Sequence, residues 1–387
     1  MSAATLVFAS QDALNLETFA ALCQQPVPTE AYPQCQAVLN RVPIYHAATL
    51  HQALQGDPSV LKSELHRLFS QGPGVMVVRQ GFADPAVVDR HSQVFDAIFA
   101  AEAEHAVAAD HFAKAGSNGR IWNALQKAAL HAPESFVEYY ANPLLGLIAE
   151  AWLGPHYQVT AQVNVVHAGG QAQQPHRDYH LGFQSTEEVQ RFPLPLHVLS
   201  QYLTLQGAVA HSDMPLETGP TLLLPFSQQY ELGYLAWRHP AFIDYFQAHA
   251  VQLPLNKGDL LFFNPALFHA AGSNRTTDRQ RMANLLQISS AFGKPMESLD
   301  RDAMMQALYP TLLKRLEQGE LDEAGLTAVI ATVADGYSFP TNLDTDPPLH
   351  GLAPQTGQQL LYQALDQRWP YADFAEQVQR MRDKRRA

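Results

Sequence analysis

Cysteine is nearly missing from this chain: Cys23 and Cys35 are the only two in 387 residues. Two thiols cannot build a disulfide framework, and these lack the paired spacing of a zinc site. Charge is sparse as well, with 16% charged against 47% hydrophobic residues, a balance that feeds a large buried core and excludes global disorder. The formal net charge of −12 argues against attraction to nucleic-acid phosphates or to an anionic membrane surface. Cations concentrate only in the tail, at Arg380, Arg382, Lys384, Arg385 and Arg386, which reads as a solvated helix end whose charges complement the helix dipole. No uninterrupted apolar run is long enough to cross a bilayer. The opening stretch, MSAATLVFASQDALNLETFAALCQQ, has no basic residue before its apolar patch and is not read as a signal peptide. The expected location is a reducing cytoplasm, with no nucleic-acid and no membrane partner, and the sequence leaves the oligomeric state open.

What the chain does have is a change of texture along its length. Residues 1–71 are expected to be a helical N-terminal extension: LNLETFAALCQQ and DPSVLKSELHRLFSQ carry apolar residues at three- and four-residue spacing, joined by a Pro-punctuated connector. GPGVMVVRQGF, from Gly72, pairs a Gly-Pro-Gly turn with a β-branched run and is expected to be the first core strand. A helix follows with an apolar stripe at Val87, Val88, Phe95, Ile98 and Phe99, then a polar loop, ADHFAKAGSNGRIW, and a second helical stretch, SFVEYYANPLLGLIAEAWLG. Beyond these, HVLSQYLTLQGAV, GPTLLLPFSQ, VQLPLNKGDLLFFN, LFHAAG and RMANLLQISSAF read as short strands between Pro/Gly turns, with YELGYLAWRHPAFIDYFQAHA as a helical insertion. Many short strands without a helix between most of them indicate a sandwich or barrel, not a doubly wound sheet. After Gly293 the pattern turns helical again, interrupted by the Pro/Gly-rich GYSFPTNLDTDPPLHGLAPQTG.

One stretch carries chemistry. TAQVNVVHAGGQAQQPHRD, Thr160 to Asp178, is an alternating extended segment and a Gly/Gln-rich turn that opens on His176, Arg177 and Asp178. In extended backbone His176 and Asp178 project to one face and Arg177 to the other. An imidazole beside a carboxylate suits a borderline divalent ion such as Fe(II), and one more imidazole would complete a 2-His-1-carboxylate facial triad. Alone, an HxD tripeptide is most often a surface turn. His269, at the end of the apolar strand in FFNPALFHAAGSNRTTDRQRMANLLQIS, is a second candidate ligand whose rival reading is a core histidine.

The order strand, HxD, several strands, His, then Arg on a strand resembles the phytanoyl-CoA dioxygenase family of Fe(II)/2-oxoglutarate-dependent oxygenases. QPHRDYHLGF, ETGPTLLLPFSQ and LFFNPALFHAAGSNRTTDRQRMANLLQIS carry the resemblance, which runs from Gly72 to Gly293. It implies an α+β fold, a double-stranded β-helix of the jelly-roll, cupin-like kind over 72–293 with flanking helices, and the helical stretch 294–387 is expected to pack on it as a C-terminal extension. It implies His176, Asp178 and His269 as iron ligands. The family's arginine position falls on Gln280, and one extra residue in the turn aligns Arg281 instead, with Arg279 as the alternative. A planar guanidinium forks onto the distal carboxylate of 2-oxoglutarate. Asn164 matches an Asn that helps hold the cosubstrate in similar members, and Gln162 shares its face. Either is equally an inward polar group bonded to backbone. Thr218 and Gln228 replace the Asn and His usual in the middle block, so those two positions lose their family roles.

The implied reaction converts 2-oxoglutarate and O2 to succinate and CO2 while hydroxylating an unactivated C–H bond of a small organic substrate. Related halogenating members have a small residue in place of the carboxylate ligand, so Asp178 favours hydroxylation. Tyr179, His180, Phe183, Trp122 and Asn123 are candidate pocket residues whose rival reading is plain core. No Lys/Arg cluster marks a CoA phosphate site, and lipid, amino-acid and secondary-metabolite substrates all stay open. Two rivals remain: a cupin-like metalloprotein that does not use 2-oxoglutarate, and a non-catalytic binding module. The arginine discriminates, because only the oxygenase needs it.

Overall fold

Runs such as VMVV and LLFF are apolar at every position, so they suit strands covered on both faces. A computed structural model, describing residues 7–103, 118–348 and 351–386, places them in that setting. Among the described residues the strands are β1 (Ala37–Leu39), β2 (Val42–His46), β3 (Val75–Arg79), β4 (Asn118–Ile121), β5 (Gln158–Val166), β6 (Thr204–Ala210), β7 (Leu222–Leu224), β8 (Leu260–Phe263), β9 (Phe268–Ala270) and β10 (Arg281–Ser289). Eight of them form one sheet in the order β1-β2-β3-β8-β6-β10-β5-β4, and β7 pairs with β9 in a second. Bridges from His176 to His269 and from Val251 to Leu223 widen the smaller sheet on both sides. Successive strands pass back and forth between the two sheets, which makes the core a double-stranded β-helix, a jelly roll.

Alternation assigns the two faces of the large sheet. Val75, Val77, Leu261 and Phe263 point into the roll and meet Leu223, Leu253 and Leu267 from the opposite side. Met76, Val78, Leu260 and Phe262 point outward into a larger apolar cluster. That outer face is covered by helices, among them Ser59–Ser70, Pro143–Leu153, Arg301–Glu317 and Glu323–Val333. Helix Leu16–Cys23 docks on the smaller sheet through Phe19, which is fully buried with its ring 5.0 Å from those of Phe242 and Phe268.

Several local expectations need correction. The connector in residues 1–71 is not purely helical: β1 and β2 lie in it, and β2 pairs parallel with β3, so β3 is the third strand of the sheet and not the first. HVLSQYLTLQGAV is only half strand, because Pro193 and Pro195 set up a helix over Leu194–Gln201 before β6. GRI, at the end of the expected polar loop, becomes β4 on the edge of the sheet, while the rest of that loop up to Ser117 lies outside the described residues. The C-terminal stretch GQQLLYQALDQRWPYADFAEQVQRMRDKRR is two helices, Gly357–Asp366 and Tyr371–Lys384, parted at Pro370 where an amide hydrogen is missing. The basic tail is a helix end, and its cations face acids: Arg382 lies 3.9 Å from Asp300 and from Asp302, and Lys384 lies 3.3 Å from Asp346.

Candidate metal and cosubstrate site

His176 and His269 sit opposite one another as an antiparallel bridge, each amide donating to the other's carbonyl at 3.0 and 3.2 Å. Asp178 follows two residues after His176, on the same face as extended geometry requires. The result is one cluster in which a ligand atom of each residue lies within 4.8 Å of the others. His269 Nε2 is 3.4 Å from Asp178 Oδ2, and His176 Nε2 is 3.6 Å from Asp178 Oδ1.

The tautomers are set by the backbone. His176 Nδ1 lies 2.9 Å from the carbonyl of Gln174, and His269 Nδ1 lies 2.9 Å from that of Leu267. Donating Nδ1–H outward leaves both Nε2 lone pairs facing the carboxylate, the arrangement of metal-ligating histidines held from behind. Gln206, on β6, donates its amide to Asp178 Oδ2. Burial pushes the Asp178 carboxyl up, but the two imidazoles and the Gln206 amide outweigh that and hold it well below the usual carboxylate range. Burial likewise lowers the His176 imidazole, against the pull of Asp178. An ionised carboxylate on which two imidazole Nε2 atoms converge is a donor set that suits a divalent ion.

Arg177 takes the other face, as expected, and is buried to 1% exposure. Its Nη2 donates to the carbonyls of Ser227 and Tyr230 at 2.6 and 3.0 Å, and its guanidinium lies 5.1 and 5.2 Å from the ring centres of Tyr234 and Phe268. Phe268 precedes His269, so the buried cation braces both halves of the bridge. Gly233 makes room for it, since a Cβ there would fall 1.8 Å from the guanidinium carbon.

The cluster opens on a cavity lined by Asp178, His269, Gln206, Arg281, Asn164 and Gln162 among others. Arg281 begins β10 at 4% exposure. Its Nε donates to the carbonyl of Thr218 at 3.0 Å, while its Nη2 is buried with no partner. Burial pulls this guanidinium down to about 10. A buried cation holding an unused donor toward a cavity is arranged for a carboxylate that enters from outside. Arg279 is elsewhere: it is exposed and 3.8 Å from Glu217. Gln280 lies at the surface, 3.2 Å from His167 Nδ1.

Asn164 pairs with Ala283 across β5 and β10, and its Oδ1 is buried without a partner. Gln162 accepts from Arg120 at 3.1 Å. Trp122 and Phe183 line the cavity, whereas Asn123 opens on a separate polar cleft, His180 turns to Ser200 at 3.2 Å, and buried Tyr179 stands outside the lining. Thr218 supports Arg281 through its backbone, and Gln228 is a buried prop that donates to the carbonyl of Gly72 at 2.8 Å. Sequence reading missed Gln206 and Gln287. Their one signal is an amide at an inward position of an otherwise apolar strand.

The jelly roll thus brings two imidazoles and a carboxylate, a group that could hold a metal ion, to a cavity shared with a buried arginine. The phytanoyl-CoA dioxygenase (PhyH) family pattern matches residues 70–283, and the chain belongs to that family. It is a non-heme enzyme that uses iron and 2-oxoglutarate. Similar solved structures include SnoN, a non-heme alpha-ketoglutarate-dependent epimerase from nogalamycin biosynthesis, at 17% identity over 61% of this chain and 84% of that one with a TM-score of 0.41. SnoK, an alpha-ketoglutarate-dependent carbocyclase of the same biosynthesis, matches at 17% identity over 59% and 83% with a TM-score of 0.43. No protein of curated function matches the sequence. Among the described residues, no helix is long and apolar enough to cross a membrane.

Proposed function

We propose that the protein is a hydroxylase in which His176, Asp178 and His269 hold Fe(II), Arg281 anchors the distal carboxylate of 2-oxoglutarate, and Asn164 and Gln162 supply amides beside the cosubstrate. The observation that carries this reading is the unpartnered Nη2 of buried Arg281 in the cavity that Asp178 and His269 also line. Bound iron and cosubstrate supply the oxidising power. The balance is one O2 and one 2-oxoglutarate consumed, one oxygen atom placed in the substrate C–H bond, the other in succinate, and CO2 released.

The chain's own residues do four things. The backbone carbonyls of Gln174 and Leu267 fix the imidazole tautomers. Gln206 keeps Asp178 turned toward the histidines. Thr218 orients Arg281 through Nε. The apolar side chains of Leu255, Leu261 and Met214, which face the same cavity, keep water from the cosubstrate end. Asp178 at the carboxylate position supports hydroxylation over halide transfer, because it leaves no gap for a halide. The core over 72–293, with the β1–β2 edge added to it, is the proposed catalytic unit, and 294–387 is its outer cover.

Anaerobic addition of Fe(II) and 2-oxoglutarate tests the reading. A weak visible charge-transfer band is expected in the wild type and is expected to vanish in His176→Ala and in His269→Ala. A wild-type protein that binds iron but gives no band would return the cupin-like reading without 2-oxoglutarate.

A further inference from the structure

The register of the large sheet divides the cavity into two ends. Along β10 the inward positions run Arg281, Ala283, Leu285, Gln287, and opposite Ala283, Leu285 and Gln287 lie Ala210, Ala208 and Gln206 of β6. Six residues of strand put Arg281 and Gln287 roughly 20 Å apart. A cosubstrate reaching from Arg281 to the ligands therefore fills the end walled by alanines. The other end, next to Asp178, is the Gln206–Gln287 pair, with Trp122, Phe183 and Met296 also facing the cavity.

That end is polar in a specific sense. Gln206 gives its NH2 to the Asp178 carboxylate, and a carboxylate accepts only, so the amide cannot be turned around. Its Oε1 must then face away from Asp178, and it is buried with no donor. Gln287 Oε1, across the same cross-strand pair, is also buried with no donor. Two buried carbonyl oxygens that accept nothing are costly unless a visitor supplies hydrogens. An acyl chain has none to offer, and lodging one there would keep both unsatisfied.

We propose that the primary substrate is a small polar molecule that donates N–H or O–H groups to Gln206 and Gln287 and lays its apolar part against Trp122 and Phe183. A fatty acyl-CoA does not fit this end. The inference rests on the reading of the site as an iron and 2-oxoglutarate centre and adds which class of molecule that centre oxidises. Gln206 and Gln287 are specificity residues, and Gln206 also positions Asp178.

The test uses the full-length protein loaded with Fe(II) and 2-oxoglutarate, and first records its charge-transfer band. Two sets of probes are then offered: free amino acids, their amides and hydroxylated aromatic compounds, against straight-chain fatty acids and their CoA thioesters. A member of the polar set is expected to shift the band and to raise succinate formation at least tenfold, and no member of the acyl set to do either. For the responding compound, Gln287→Leu is expected to raise its KM at least tenfold while leaving the cosubstrate's KM within twofold of wild type. Gln287→Glu, which keeps an acceptor, is expected to recover most of the loss. Turnover of an acyl-CoA, no response to the polar set, or a KM indifferent to Gln287→Leu overturns the inference. Absence of the initial band overturns the functional reading instead, so the two failures are separable.

Discussion

Arg281 and Arg279 stand two positions apart on the chain and in opposite surroundings. Arg279 is in solvent near Glu217, where an ion pair contributes little. Arg281 is buried, fixed at Nε and unused at Nη2, so in its proposed role truncating it removes a desolvated carboxylate contact. Arg281→Ala is expected to raise the KM for the cosubstrate at least 30-fold, on the order of the 2 kcal/mol of a charge-assisted pair, and Arg279→Ala to change it less than twofold. Steady-state turnover against 2-oxoglutarate concentration measures both. The reverse pattern would mean that Arg279, and not Arg281, anchors the cosubstrate.

Single side chains of this kind work only because elements hold them. The HxD segment and β9 carry the proposed ligands, and the buried cation of Arg177 between Tyr234 and Phe268 ties that pair to the helix Gly233–Ala236. The space at Gly233 belongs to the guanidinium, so Gly233→Ala must displace either the helix or Arg177. Overpacking of this sort costs typically about 1–3 kcal/mol. The variant is expected to melt several degrees lower and to bind Fe(II) more weakly, measured by calorimetry and by the charge-transfer band. Arg177→Lys keeps the charge but loses the planar stack on the two rings and is expected to do the same more mildly. A Gly233→Ala protein with wild-type melting and iron affinity would remove Arg177 from the support of the site.

The whole molecule has its own titration. His91 and His211 are buried on the outer side of the large sheet, against Ser92, Tyr139 and Tyr140. Burial lowers both imidazoles, His211 to about 3 with a further push from Lys257, and His91 well below its ordinary value, assisted by His211. The unfolded chain takes up these protons below about 6.5, whereas the folded chain resists them down to the depressed values. The stability the pair contributes is therefore complete above pH 6.5 and declines as the pH falls, by up to about 1.4 kcal/mol per unit for each group. Urea midpoints are expected to drop between pH 7.5 and 5, and the drop to shrink in His211→Asn. A midpoint flat over that range would mean the pair stays solvated.

The grouping of His176, Asp178 and His269 was readable because its signal is local: HxD in an extended segment leaves two side chains no choice but to share a face, and the order of blocks around His269 is a property of the chain alone. Periodicity likewise marked β3, β5, β8 and β10 and the long helices. What a linear pattern cannot carry is which distant backbone comes alongside. It could not separate Arg281 from Arg279, because burial depends on Thr218 and the far sheet closing over one of them. It gave no reason to single out Gln206 or Gln287, since an amide in a strand gains a role only when another chain segment brings Asp178 against it. It read residues 25–45 as connector, because short strands such as β1 and β2 gain their hydrogen bonds from a neighbour and not from their own sequence. Spacing along the chain decided which side chains can share a face, and the tertiary structure decided which polar groups are buried without a hydrogen-bond partner, because burial depends on distant segments closing over them.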